Sequence, residues 1–218
     1  MSSCYECLKP TQLCDFDQVH EIRDKARRLT IQLQDKGDIT ERIYHFVKEL
    51  PYGLEDWDVK ASETLQKGWG MCSGKTNLFV AMLRYLQIPT RYRVYKIYSE
   101  GTLWRVVASQ NNKLAADMGE PVPQRDHVVA EVYLDKWQVY DPSRDSALEE
   151  GMKKLVIPLQ RIPVATSDEK AQFLILNSID EWASRRQQNL HFREGRQALF
   201  AEINREFDSI RSLSSSRG

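Results

Sequence analysis

The chain has 218 residues, 41% of them hydrophobic, and its 31 Lys and Arg residues balance 31 Asp and Glu residues. This length suits one core plus a small appendage and argues against two full domains, and the zero net charge gives no attraction to nucleic acid or an anionic membrane. No apolar run reaches the roughly 20 residues of a membrane-spanning helix, and the N-terminus lacks a secretion signal. We therefore expect a cytoplasmic protein without nucleic-acid or membrane partners.

Three of the four cysteines, Cys4, Cys7 and Cys14, crowd near the N-terminus, and Cys72 stands alone. This distribution suits a reducing compartment better than a disulfide framework. The three clustered cysteines and His20 could be drawn as a zinc site, but their spacing is irregular and no second paired motif exists. We expect neither a metal nor a cofactor.

Apolar residues at three- and four-residue steps predict amphipathic helices over residues 18–33 and 39–50. Asp38 or Thr40 can cap the second helix, and Pro51 ends it by disfavouring helical geometry at the residue before it. The chain then enters a predicted loop.

After the loop of residues 52–60, a short helix is predicted from Ser62 and ends at Gly68. The helix that follows Cys72 is expected to be the central one, because its apolar residues form one broad buried face: Leu78, Phe79, Met82, Leu83 and Leu86.

β-favouring residues then predict strands at 90–98, 103–108, 127–134 and 137–141. The polar stretch 109–125 predicts a long loop. Further along, the chain predicts a strand-like segment at 156–158, helices at 170–185 and 193–210, and a Ser-rich tail at 212–218 that frays. These patterns indicate an α+β protein with a core at residues 1–165 and a helical extension at 166–218 that packs on it.

Cys72 lies in the segment GWGMCSGKT, residues 68–76, a flexible turn that leads into the central helix. Backbone N–H groups and the helix dipole at this N-terminus favour a thiolate. The Cys72 N–H can also donate to an oxyanion that develops on an acyl substrate. Gly70 and Gly74 would let a substrate carbonyl approach the backbone closely.

His127 and Asp141 are the candidates for a general base and for the carboxylate that orients it. If residues 135 and 136 alone made the hairpin turn, Leu134 would pair with Trp137. In that register the side chains of His127 and Asp141 would lie on opposite faces of the hairpin. For the imidazole and the carboxylate to contact each other, both side chains must lie on the same face of the hairpin. We therefore predict a bulge or an odd-length turn between them.

A second oxyanion donor is expected upstream of Cys72, where Tyr52 and Trp57 are the candidates, although either could be a core aromatic residue. Trp69 is expected to pack against the loop or to line the acyl channel. A phosphate-binding loop at residues 74–76 is disfavoured, because Trp69 stands where such a loop needs Gly and a helix precedes it.

Two segments around Cys72, residues 61–72 (ASETLQKGWGMC) and 83–92 (LRYLQIPTRY), resemble the core of the transglutaminase-like superfamily. Residues 127–134 and 141–143 are similar to its second and third motifs. The resemblance spans residues 39–143, and the N-terminal LKPT and DFD segments also look like bacterial transglutaminase-like cysteine peptidases with a short leader.

The resemblance implies a papain-like fold, in which the nucleophile helix packs on an antiparallel sheet, and acyl chemistry on peptide or protein amides through a thioester. It leaves open whether the chain is a transglutaminase, protease, deamidase or glycan-removing amidase. Met71 and Ser73 differ from the Gln and Trp of animal-type transglutaminases, so protein crosslinking is not the first expectation.

Two non-catalytic hypotheses also remain. The chain could be an inactive module that holds a peptide in its cleft, which the short hairpin would favour. The charged C-terminal helices could instead bind another subunit through an apolar face, although we expect this face to pack on the chain's own core: Leu199, Ile203, Phe207 and Ile210. The sequence does not specify an oligomeric state.

Overall fold

A computed structural model of the chain describes residues 5–98, 124–155, 173–188 and 196–215. A 3-10 turn at Tyr5–Leu8 precedes the regular elements, which are, in chain order, α1 (His20–Thr30), α2 (Lys36–Lys48), α3 (Ala61–Lys67), α4 (Cys72–Tyr85), β1 (Thr90–Tyr98), β2 (Gln124–Tyr133), β3 (Trp137–Tyr140), α5 (Ser146–Lys154), β4 (Phe173–Leu176), α6 (Asp180–Gln188) and α7 (Arg196–Ser215). The strands predicted at 103–108 and 156–158 lie outside the described residues, as does nearly all of the loop predicted at 109–125.

The four described strands form one antiparallel sheet in the order β3-β2-β1-β4. Helix α4 packs on this sheet, where the Thr76 hydroxyl donates to the Val128 carbonyl of β2 at 3.2 Å. The helix is buried from Cys72 through Arg84, so it occupies the centre of the protein. This arrangement confirms the predicted α+β fold with the Cys72 helix on an antiparallel sheet.

The turn before α4 brings a distant loop beside Cys72. Gly68 ends α3 with a φ of +72°, a left-handed conformation that disfavours residues with a Cβ atom. The chain then pairs with the loop after α2: the Gly70 N–H donates to the Pro51 carbonyl at 3.1 Å, and the Gly53 N–H donates to the Gly70 carbonyl at 3.2 Å. Residues 51–53 therefore run alongside the approach to Cys72.

Helix α2 begins earlier than its apolar pattern indicates. Its cap is Asp35, whose side chain accepts hydrogen bonds from the N–H groups of Gly37 and Asp38. The prediction of Asp38 or Thr40 as the cap is wrong, because Thr40 already lies inside the helix and donates its hydroxyl to the Lys36 carbonyl at 2.7 Å. Polar residues of a first turn carry no apolar periodicity, so the pattern starts late.

The helix predicted over residues 170–185 is partly wrong. Phe173–Leu176 form β4, which pairs with β1 from Tyr95 to Tyr92, and the helix starts only at Asp180. Four consecutive apolar residues fit a helix or a strand equally well from sequence. The free edge of β1 decides between them, because backbone pairing there satisfies the N–H and C=O groups of the segment.

Helix α7 packs on the chain's own core, as predicted for its apolar face. Ile203, Phe207 and Ile210 are buried there. The helix also continues to Ser215 through part of the tail expected to fray. Arg211 explains part of this extension, because its guanidinium reaches the buried Asp145 carboxylate at 2.8 Å.

The cysteines differ in state. Cys7 is buried and disulfide-bonded, which does not match the reduced set that the sequence led us to expect, whereas Cys14 and Cys72 are free thiols. The described ranges hold no group of three or more His, Cys, Asp or Glu side chains arranged to bind a metal ion. Nor does any described helix combine the length and apolar character that a bilayer crossing requires.

Candidate active site

Cys72 is the first residue of α4, and the preceding Met71 has the extended backbone of an N-cap residue. This is the helix N-terminus predicted from the glycine-rich turn. Cys72 is only 4% exposed, so its sulfur sits in a largely enclosed position. Its backbone N–H has no acceptor among the described residues, which leaves that group free to donate to a bound oxygen.

His127 and Asp141 form a close pair, with 3.0 Å between His127 Nε2 and Asp141 Oδ2. The pKa of Asp141 is lowered, because attraction to His127 and hydrogen bonds from His127 and Ser143 outweigh burial, which raises it. An ionised carboxylate only accepts hydrogen bonds, so Nε2 carries a proton and donates. Nδ1 is then the ring nitrogen left for Cys72.

The Cys72 side chain is close enough to the imidazole to act on its pKa. Burial lowers the pKa of His127, but the charge and hydrogen bond of Asp141, followed by those of Cys72, raise it more strongly, to about 10. The ring is therefore poised as an imidazolium between two acidic partners. One imidazole thus interacts with the Cys72 side chain on α4 and with the carboxylate after β3.

The hairpin between β2 and β3 has the odd-length turn that the pair requires. Tyr133 pairs with Trp137, so three residues form the turn, and Ala130 pairs with Tyr140. Continuing this register by one residue sets Asp141 beside Val129, which shares a face with His127. The predicted register shift is confirmed.

Asp141 is held from its own loop and from α2. The Ser143 N–H donates to Asp141 Oδ1 at 3.1 Å, which closes a tight turn after the carboxylate. The Tyr44 hydroxyl donates to the Asp141 backbone carbonyl, also at 3.1 Å. These two bonds fix both the side chain and the backbone of the residue that orients His127.

The aromatic candidates for an oxyanion donor pack mainly on C-terminal helices. The Tyr52 ring lies 5.6 Å from Phe207 of α7, and the Trp57 indole meets Trp182 of α6 edge-on at 5.2 Å. Both residues belong to the loop whose start pairs with Gly70. Their assignment as oxyanion donors stays a prediction.

Trp69 packs on that loop, one of its two expected positions. A Cβ atom at Gly53 would lie 2.9 Å from the indole Cε3, so the ring stacks directly on the loop backbone. The Lys67 ammonium lies over the Trp69 ring, 4.6 Å from the ring centroid.

The structure gives another reason for glycine at positions 70 and 74, and the substrate-binding role of Gly70 stays a prediction. The space beside both residues is filled by protein side chains: a Cβ atom would lie 3.0 Å from Glu55 Oε1 at Gly70, and 2.5 Å from the same atom at Gly74. Glu55 is buried, accepts the Met71 N–H at 2.7 Å and pairs with Lys67. The glycines thus admit a buried carboxylate beneath the helix start.

Replacing Gly74 by Ala is therefore expected to destabilise the fold by about 1–3 kcal/mol, because the new methyl group meets Glu55 and Thr64. Thermal or urea unfolding measures this change without any substrate. Ser73→Ala is the matched control, since Ser73 already carries a Cβ atom and its Oγ has no hydrogen-bond partner among the described residues. Unchanged stability with impaired turnover would restore the substrate-approach explanation.

Sequence reasoning missed Glu55 and Tyr44 as supports of the site. Glu55 lies in an irregular loop and Tyr44 on the amphipathic face of α2, and neither position carries a pattern that links it to Cys72 or Asp141. The sequence pattern around Lys75 suggests only a comparison with a phosphate-binding loop. The useful signal is that Lys75 is the one charged residue before Arg84 in a helix expected to be buried, since such a charge must find buried partners.

Comparison with known proteins decides the family. The profile of the transglutaminase-like superfamily matches residues 23–142, more than half of the chain. The chain belongs to this superfamily. The matched region of the transglutaminase-like chain contains Cys72, His127 and Asp141 and ends one residue after the last of them.

A crystal structure at 1.9 Å of a candidate cysteine protease from Cytophaga hutchinsonii is similar to this chain, with 19% sequence identity and a TM-score of 0.47. The match covers 66% of this chain and 43% of that one, so the transglutaminase-like chain spans less than half of the length of that protein. No curated protein sequence matches the chain.

Proposed function

We propose that this transglutaminase-like chain is a cysteine-dependent amide hydrolase or acyltransferase, with Cys72 as nucleophile, His127 as general acid and base, and Asp141 as the orienting carboxylate. The observation that carries the proposal is the single imidazole that contacts Asp141 through Nε2 at 3.0 Å and whose pKa is also raised by the neighbouring Cys72 side chain. This geometry supports a catalytic triad.

In the acylation step, the Cys72 thiolate attacks the carbonyl carbon of an amide. The carbonyl oxygen takes up the negative charge, and the free Cys72 N–H at the start of α4 donates to it. The C–N bond then breaks as the His127 imidazolium gives its proton to the leaving nitrogen. The product is a thioester on Cys72 and a neutral imidazole that Asp141 still orients.

In the second step, the acceptor gives a proton to His127 and attacks the thioester carbonyl. The thiolate leaves, and the thiolate and imidazolium pair is restored. A water acceptor makes the chain a protease or deamidase, and an amine acceptor makes it a transglutaminase. The substrate we propose is a peptide or protein amide, because an extended backbone can present its carbonyl to an enclosed sulfur at a helix start.

The rival hypothesis is a peptide-binding module without activity. It depended on the short hairpin turning His127 and Asp141 apart. Their contact at 3.0 Å takes that support away, so the enzyme is the better supported of the two.

Intact-mass spectrometry tests the proposal. The full chain is mixed with a peptide library, with glutamine peptides or with primary amines plus glutamine peptides, and is quenched in acid to trap the thioester. We expect an acyl mass on the native chain and none on Cys72→Ala, while Cys14→Ala, which removes the other described free thiol, keeps the adduct. An adduct that persists in Cys72→Ala would contradict the proposal, and no adduct with any mixture would favour the binding module.

A further inference from the structure

Lys75 is a buried cation one turn along α4 from Cys72. Its side chain is fully enclosed, yet its ammonium donates to three backbone carbonyls: Lys48 at 2.9 Å, Leu50 at 2.6 Å and Ser143 at 2.7 Å. An ammonium has three N–H donors, and each has one acceptor here. Such complete pairing of a buried charge indicates a built site rather than a chance position.

The three carbonyls belong to two segments that flank the candidate active site. Lys48 and Leu50 lie at the end of α2 and just beyond it, and Ser143 follows Asp141 by two residues. Lys75 itself lies three residues after Cys72 on the same helix. The ammonium therefore links the backbone that carries the sulfur to the backbone that carries the carboxylate.

We propose that Lys75 is a positioning residue, which holds the Asp141 loop against α4 so that His127 can contact Asp141 and Cys72 at once. This inference rests on the proposed function, since it assigns Lys75 to the same three side chains. Lys75 acts through backbone contacts and need not touch the substrate.

Other described hydrogen bonds reach this loop from α2, from α7 and from the loop after α2. Tyr44 donates to the Asp141 carbonyl, and the Lys48 ammonium donates to the Arg144 carbonyl at 2.6 Å, but both side chains come from α2. These two bonds tie the loop to α2. The Asp145 carboxylate also accepts the Tyr52 N–H at 2.8 Å and pairs with Arg211 of α7, so residues 51–53 give the loop an indirect route to the start of α4. Lys75 connects α4 to the loop and to the end of α2.

The charge of Lys75 is balanced locally. Burial lowers the pKa of Lys75 to about 7, with Lys48 and Arg211 acting in the same direction, while Asp145 and Asp141 raise it. Three carbonyl acceptors favour the protonated form, because a neutral amine has only two N–H groups. The link is thus strongest below neutral pH.

The test follows the His127 imidazole by NMR as the full-length protein is titrated, with the His127 signal assigned by its absence in His127→Gln. Lys75→Met keeps the length of the side chain and removes its donors, and Lys75→Gln keeps two N–H donors. We expect the His127 midpoint to fall by about one pH unit or more in Lys75→Met, because a displaced Asp141 no longer stabilises the imidazolium. Lys75→Gln should give a smaller fall.

Lys48→Met is the matched control, since it removes a neighbouring lysine that bonds the same loop from α2, and its His127 midpoint should stay near that of the native chain. Lys75→Met and Lys75→Gln that both titrate like the native chain would overturn the positioning role. If Lys75→Met does not fold, Lys75→Gln decides. A Lys75→Gln chain that also fails to fold would assign Lys75 to folding alone and overturn the inference.

Native and Asp141→Asn chains separate this inference from the proposed function. A native His127 that titrates like a free imidazole, unaffected by Asp141→Asn, would contradict the triad itself. A raised native midpoint that falls in Asp141→Asn but not in either Lys75 variant would leave the triad standing and reject only the role of Lys75.

Discussion

Replacing His127 by Ala is expected to slow acyl-adduct formation and turnover by at least about 10⁴-fold, because nucleophile and base act as one unit. Without the imidazole, the chain loses the group assigned to protonate the leaving nitrogen and to take a proton from the acceptor. The measurement is the rate of adduct formation with whichever amide the mass experiment identifies.

His45→Ala is the control for this substitution. His45 lies on α2 with its side chain 67% exposed, beside Glu41 and the Tyr44 ring, so its loss should leave the rate within about twofold, as expected for a surface substitution. A His127→Ala chain that folds and keeps the native rate would remove the imidazole from the mechanism.

Replacing Asp141 by Asn is expected to lower turnover by about 10²–10⁴-fold, because an amide next to Nε2 can hold the imidazole in the wrong tautomer. It should also move the alkaline limb of the pH profile downward. The raised pKa of His127, about 10, depends chiefly on the charge and hydrogen bond of Asp141 acting against burial, so without the carboxylate the imidazolium loses its proton at lower pH.

The same substitution should affect stability in a pH-dependent way. His127 has a folded pKa above its unfolded value of 6.5, so its contribution is complete below that value and is lost as pH rises through about 10. Asp141 has a folded pKa below its unfolded value of 3.8, so its contribution is present above that value and is lost as pH falls through the folded one.

The stability difference between native and Asp141→Asn chains should therefore be largest, about 1–3 kcal/mol for a pair that is partly exposed, between these two unfolded values. Urea unfolding across the pH range measures it. Asp135→Asn, in the exposed turn of the same hairpin, should show no such dependence. A difference that stays flat from acid to alkaline pH would argue against the ion pair.

The central helix and the hairpin could be predicted because residues close together in the sequence determine each of them. Cys72 follows a glycine-rich turn and precedes an apolar helix, which fixes it at a helix start. The hairpin register followed from a functional requirement: a regular two-residue turn would set His127 and Asp141 on opposite faces, whereas a bulge or an odd-length turn lets them share one. The requirement that His127 and Asp141 contact each other thus predicted the register, which the turn residues alone did not.

The parts that sequence missed depend on contacts between distant segments. Phe173–Leu176 became a strand because the edge of β1 was open to it, which no local pattern records. Glu55 lies under the start of α4 across 16 positions of the chain, and its carboxylate, not a substrate, explains Gly74. Lys75 likewise finds its acceptors on segments 25 and 68 residues away.

The central claim is that sulfur, imidazole and carboxylate work as one ionised unit, and the rate at which iodoacetamide alkylates Cys72 in the folded protein tests it most directly. At one fixed pH of about 7, the rate should fall at least about tenfold in His127→Ala and in Asp141→Asn, because the imidazolium next to the sulfur makes it more reactive. Native, His127→Ala and Asp141→Asn chains that react at the same rate, or a native Cys72 that does not react until the protein unfolds, would contradict the account.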